Sequence, residues 1–148
     1  MGGAYELEGK LQIAEEHYRK SIELDPREPS SCRVLGALLQ KEGPEHLIES
    51  IQVLRKALIL DPANVEAKID LSRGLERQGD LDQAAVLLEQ AVASEPTLLR
   101  AHSALAEVYA RQHKMSEAEH EQSIAATLEG EKITNERNVW DPHSNEPR

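Results

Sequence analysis

Three side chains toward the C-terminal end, His113, Glu117 and His120, are the nearest approach in this sequence to a metal-binding set. Their spacing would place them on one helical face, and two imidazoles with a carboxylate suit a divalent transition metal. His113 falls, however, where the chain pattern puts a turn, and a polar helix face is ordinarily just solvated, so no metal is assigned. Cys32 is the single thiol. It lies near a helix start, which favours a thiolate, but it takes a packing position, and a buried structural cysteine is the expectation. The sequence contains no G-x-x-x-x-G-K-[ST] phosphate loop, no H-E-x-x-H zinc pair and no G-x-S-x-G nucleophile turn. It therefore reads as non-catalytic and without a cofactor.

The elements behind these residues are helical. Aromatics are scarce in the 148 residues, with one Trp, three Tyr and no Phe, whereas Ala, Leu, Glu, Gln and Arg dominate and suit helices. Seventeen Lys and Arg against twenty-seven Asp and Glu give a formal charge of −10, which disfavours nucleic acid as a partner. One cysteine excludes an internal disulfide framework and fits a reducing compartment. No apolar run approaches the roughly 20 residues of a membrane span, and the N-terminus lacks a basic-then-apolar leader. A cytoplasmic location is the expectation; a periplasmic or secreted one would require that a leader had been removed.

An internal repeat organises the chain. The segments ELDP, ILDP and SEP place Pro26, Pro62 and Pro96 at intervals of 36 and 34 residues. Proline ends one helix and leads into the next, so each marks a unit boundary. Between these breakers Leu35, Leu71 and Leu105 share one slot, and Gly36, Ser72 and Ala106 share the small slot beside it. Ala57, Ala91 and Ala125 form a second small slot, while Tyr18, Leu54 and Leu88 form a large one. Small residues let two helices approach, and the larger ones fill the seam. Gly43 and Gly79 end first helices, with His113 in the same slot, and two extra residues within GPEHLIES explain the longer interval. Asp80 and Ser116 are placed to cap second helices.

This frame resembles the tetratricopeptide repeat family, over about residues 1–128. The resemblance implies an all-α right-handed superhelix of antiparallel helix pairs: a partial unit at 1–28, three full units at 29–64, 65–98 and 99–128, and an extension at 129–148. It also implies a concave groove, lined by the first helix of each pair, that holds a peptide or protein segment. Carried over slot by slot, the groove candidates are Ser30, Arg33, Val34, Ala37, Gln40 and Lys41; Glu66, Ile69, Asp70, Arg73, Glu76 and Arg77; and Arg100, Ser103, Ala104, Glu107, Ala110 and Arg111. Six are basic and four acidic, so a mildly basic trough sits in an acidic body and favours an acidic peptide or a free C-terminus.

Lys41, Arg77 and Arg111 share a slot near helix C-termini, where a cation is favoured whatever binds nearby. Arg33, Arg73 and Arg100 are the better ligand contacts. The subgroup that clamps chaperone C-termini would need Arg33, Ala37, Asp70, Arg100 and Ala104 to supply basic groups and asparagines; two of five fit, and Asp70 would repel a carboxylate. The asparagine ladder of the O-linked sugar transferase reads Val34, Asp70 and Ala104 here and is absent.

The opening MGGAYELEGK puts Met1, Gly2, Tyr5 and Gly9 in the slots of Leu105, Ala106, Tyr109 and the turn residue, so the chain begins part-way along a first helix and turns at Gly9. An apolar edge at Tyr5, Leu7, Leu11 and Tyr18 would then await a partner, and Trp140 is either a cap on the last pair or an anchor for another chain. Three functions follow: an adaptor groove for a peptide or protein, self-assembly as a homodimer through the N-terminal edge, or a docking part of a larger enzyme. No nucleic acid and no membrane is expected as a partner.

Overall fold

The structure, a computed structural model, describes residues 2–139, with the side chains of 2–8 and 137–139 outside that description. Seven α-helices follow in order: α1 (Gly2–Leu24), α2 (Pro29–Glu42), α3 (Leu47–Leu60), α4 (Val65–Gln78), α5 (Leu81–Ser94), α6 (Leu99–Arg111) and α7 (Met115–Val139). The helices pair as α2/α3, α4/α5 and α6/α7, and α1 packs on α2.

Local chemistry sets the ends. Glu28 accepts from the Ser30 and Ser31 amides at the start of α2, Asn64 from Ala67 N (2.9 Å) at the start of α4, and Asp80 from Gln83 N (3.2 Å) at the start of α5. Hydrogen bonds from Ser30 and then Ser31 hold the Glu28 carboxyl down to about 2. Gly79, at φ 92°, makes the left-handed turn between α4 and α5, and His113, at φ 61°, makes the same turn between α6 and α7. The two inserted residues after α2 form a short 3₁₀ turn, Pro44–His46.

Two local expectations are corrected. Gly9 lies inside α1, which runs unbroken for 23 residues. Continuing the helix keeps every backbone bond, and glycine tolerates that at a cost of about 1 kcal/mol. Ser116 lies in the first turn of α7 rather than at its cap, because the helix starts at Met115.

The core runs along the stack. Leu54, Ile69, Leu75, Leu88, Leu105 and Val108 form its centre, and Leu35, Leu39 and Cys32 are sealed in the α2 region. Burial pushes the Cys32 thiol up, as expected for an unreactive packing cysteine. The closest approach is at Gly36, where Leu54 lies against the bare Cα and the Ser50 hydroxyl donates to the Gly36 carbonyl at 2.7 Å. Neighbouring first helices, α2 with α4 and α4 with α6, lie with their backbones close together; among the described residues the backbones of α3 and α5, and of α5 and α7, stand farther apart, and α3 reaches α5 through the Arg55 and Gln83 side chains. The stack therefore curves with α2, α4 and α6 on its inner side, and it is an α-solenoid.

At the N-terminal end Arg19 pairs with Glu15 (2.6 Å) and reaches across to Glu49 of α3 (2.7 Å). Glu42 sits beside this group with its Oε1 buried and unpartnered. Burial, reinforced by the Glu15 charge, pushes the Glu42 carboxyl up.

Two stability outcomes follow. Gly36→Ala drives a methyl into Leu54 and should cost about 1–3 kcal/mol in urea denaturation. A carboxyl raised in the fold lends stability that is complete below its unfolded value of about 4.3 and is lost as pH rises through the folded one. Glu42→Gln should accordingly melt above the parent at pH 7, the two curves converging below about pH 4.

Candidate functional site

The inner surface is built from one face of α2, α4 and α6. Its cations are mostly engaged. Arg33 donates from Nη1 to Asp70 Oδ2 at 3.2 Å, joining α2 to α4. The Asp70 side chain is only 10% exposed, so its charge is held by Arg33 rather than by water. The Asp70 carbonyl also receives Gln40 Nε2 at 2.8 Å. Arg100 of α6 forms an ion pair with Glu66 of α4 near the helix starts.

The slot of Lys41, Arg77 and Arg111 has a structural role that crosses repeats. Arg77 Nη1 donates to the Gln40 carbonyl at 2.9 Å, and Arg111 Nη1 donates to the Glu76 carbonyl at 3.0 Å and to Glu76 Oε1 at 2.9 Å. Each arginine thus satisfies a last-turn carbonyl of the helix one repeat earlier, where the helix dipole is negative. Lys41, in the same slot, is exposed.

Among the described residues, Arg73 and Lys41 are the groove cations left without an ion-pair or hydrogen-bond partner. Arg73 is exposed at the middle of α4; Glu107, one repeat on in the same slot, is exposed too. On the same inner face Ala37, Val34 and Ser103 are half-buried. Ile69 departs from its groove placement: it is fully buried in the core, because its side chain turns toward the neighbouring pairs. Ala104 is likewise buried. Arg33 and Arg100, expected as ligand contacts, are instead tied to Asp70 and Glu66.

His113, Glu117 and His120 are all exposed, His113 in its turn and the other two on α7. Of the N-terminal edge, Leu11 and Tyr18 are half-buried and Ile13 is 58% exposed, whereas the Tyr5 and Leu7 side chains and Trp140 lie outside the described residues.

The repeat pattern also concealed a buried histidine. His102 is 5% exposed, with Nδ1 at 2.6 Å from Glu121 Oε2 of α7 and Nε2 at 2.9 Å from the Pro96 carbonyl. It ties the last pair to the preceding turn. A polar residue between Ala101 and Ser103, on a helix whose other face is apolar, was the available signal.

The tetratricopeptide repeat profile matches residues 75–121 and, in a second form, residues 1–28. The chain belongs to the tetratricopeptide repeat family. Solved structures agree on the fold of this repeat protein. MamA 41-end from Desulfovibrio magneticus RS-1 superposes with a TM-score of 0.75 at 22% identity, covering 88% of this chain and 73% of that one. YrrB, described as a TPR protein with an unusual peptide-binding site, superposes with a TM-score of 0.73 at 19% identity, covering 89% and 67%. Among curated proteins, the Protein O-mannosyl-transferase TMTC1 of Homo sapiens is 30% identical over 118 residues. The match takes in 80% of this chain, which spans about 13% of that protein's length. Repeats of this family form scaffolds for protein interaction.

Removal of Arg33 strands the Asp70 charge under the groove. Arg33→Ala should lose about 2 kcal/mol in chemical denaturation, and a double variant that also carries Asp70→Ala should recover much of it.

Proposed function

We propose that the chain is a non-catalytic interaction module that holds an acidic or C-terminal peptide segment along the inner face of α2, α4 and α6. The observation that carries this reading is the unpaired Arg73 at the centre of that face, which also carries half-buried Ala37 and Ser103. Every other arginine there already has an acceptor within the protein. A ligand carboxylate at Arg73 would gain a charge-assisted hydrogen bond without displacing an internal one. Lys41 extends the positive side toward the N-terminal end, while exposed Glu107 marks the other end against acidic groups. The groove thus sets a direction for its ligand, whose acidic end lies over α2 and α4 and whose basic or neutral end lies over α6.

A second reading, a docking segment of a larger enzyme, is favoured by the 30% identity to part of a transferase. Coding sequence on either side that specifies a catalytic domain would support it. Self-assembly rests on exposed Ile13 and half-buried Leu11 and Tyr18 of α1; sedimentation at high concentration should then show a homodimer that Leu11→Glu dissociates.

For the groove itself, a peptide array with free C-termini should return acidic sequences. Their affinity should fall about tenfold or more on Arg73→Glu, the loss of one charge-assisted contact, and weaken with salt. Binders insensitive to Arg73→Glu, or no binders at all, would contradict the reading.

A further inference from the structure

The outer face carries a second pattern, formed by two slots that recur on successive second helices. Arg19, Arg55 and Glu89 occupy one slot of the repeat on α1, α3 and α5, and Glu49, Gln83 and Glu117 occupy another on α3, α5 and α7. In the first rung Arg19 meets Glu49 at 2.7 Å. In the second, Arg55 Nη2 donates to neutral Gln83 Oε1 at 3.1 Å. In the third, Glu89 and Glu117 are both acidic, and Glu89 accepts instead from the Tyr109 hydroxyl at 2.8 Å. Arg55 is therefore a rung cation without its carboxylate.

Beneath the same second rung lies an apolar cavity of about 330 Å³, lined by Leu71, Leu75, Asp82, Gln83, Val86 and Leu87. Its floor is α4, its wall is α5, and Arg55 of α3 stands over Gln83 at its rim. One repeat further on, the slot of Leu75 holds Tyr109. That ring packs on the core and its hydroxyl reaches Glu89 of α5, with Lys114 Nζ 5.4 Å from its centroid. Burial and then the Glu89 bond push the Tyr109 phenol up, as expected for a ring packed on the core. By its place in the repeat, the cavity adjoins the slot where the next repeat carries an aromatic ring and this one carries the shorter Leu75.

We propose that this outer furrow between α3 and α5 is a docking site, separate from the inner groove, for a partner segment that presents an aromatic side chain next to a carboxylate. The ring would lie over Leu71, Leu75 and Leu87 against half-exposed Val86, beside the slot that holds Tyr109 one repeat on. The carboxylate would complete the rung with Arg55, as Glu49 does for Arg19. Both halves of the ligand are read from this protein's own neighbouring repeats. Aromatic burial supplies the affinity, and the guanidinium sets the sign of the adjacent charge.

The test is a methyl-detected NMR titration of the full chain with two blocked peptides, glycine-phenylalanine-aspartate-glycine and glycine-phenylalanine-lysine-glycine, at millimolar concentration. The aspartate peptide should shift the methyls of Leu71, Leu75, Val86 and Leu87 and bind about tenfold more tightly than the lysine peptide. Leu75→Tyr, which refills the cavity from within, should abolish the shifts. Val86→Glu, an exposed position that leaves the core intact, should do the same by giving Arg55 an internal partner. Equal affinity for the two peptides, shifts confined to the inner face, no shifts, or retained binding in Val86→Glu would each overturn the proposal. So would movement of these methyls in the free protein on Trp140→Ala, which would show the cavity already filled by the chain's own tryptophan.

Discussion

A pair of helices about 30 residues long cannot hide its own apolar face, so each pair in this protein is stable only through what its neighbours cover. The contact that sets the geometry is the close approach of a first helix to its second, where Gly36 admits Leu54 and where Ser72 and Ala106 hold the equivalent small slots. That approach fixes how far each pair tilts, and the tilt sets which helices lie close to their successors. Because the backbones of α2, α4 and α6 lie close while those of α3, α5 and α7 are farther apart, one side becomes a groove and the other a series of furrows. Both candidate sites are consequences of one packing constraint.

Much of the polar chemistry then serves the stacking. Arg77 and Arg111 use their charge on the carbonyls of the previous repeat, and Arg33 pairs with Asp70 beneath the surface. His102 performs a similar task at the last pair, between Glu121 and Pro96. What is left over is informative for that reason. A cation with no carboxylate partner, such as Arg73 inside or Arg55 outside on its neutral glutamine, is a position the scaffold does not consume.

The helix pairs were legible in the sequence because they depend on local and strictly periodic features: Pro26, Pro62 and Pro96, the turn slot of Gly79 and His113, the cap at Asp80, and the alternation of small and large residues. The N-terminal turn at Gly9 was misread because a glycine in a turn slot permits a turn without requiring one, and α1 continues through it. Groove residues were legible as positions and not as states. Whether Arg33 or Arg100 is free depends on Asp70 and Glu66, 37 and 34 residues away in sequence and brought within reach only by the inter-repeat rotation. Ile69 fell on the wrong side for a related reason: a residue at the margin of the inner face turns inward when the next pair leaves space for it.

The central claim is that the inner face of α2, α4 and α6 is the principal ligand surface. Backbone amide shift mapping with a mixed pool of acidic peptides bearing free C-termini tests it most directly. Perturbations should cluster around Ala37, Arg73 and Ser103. Perturbations confined to α1 and α7, or their absence at millimolar peptide, would contradict the account.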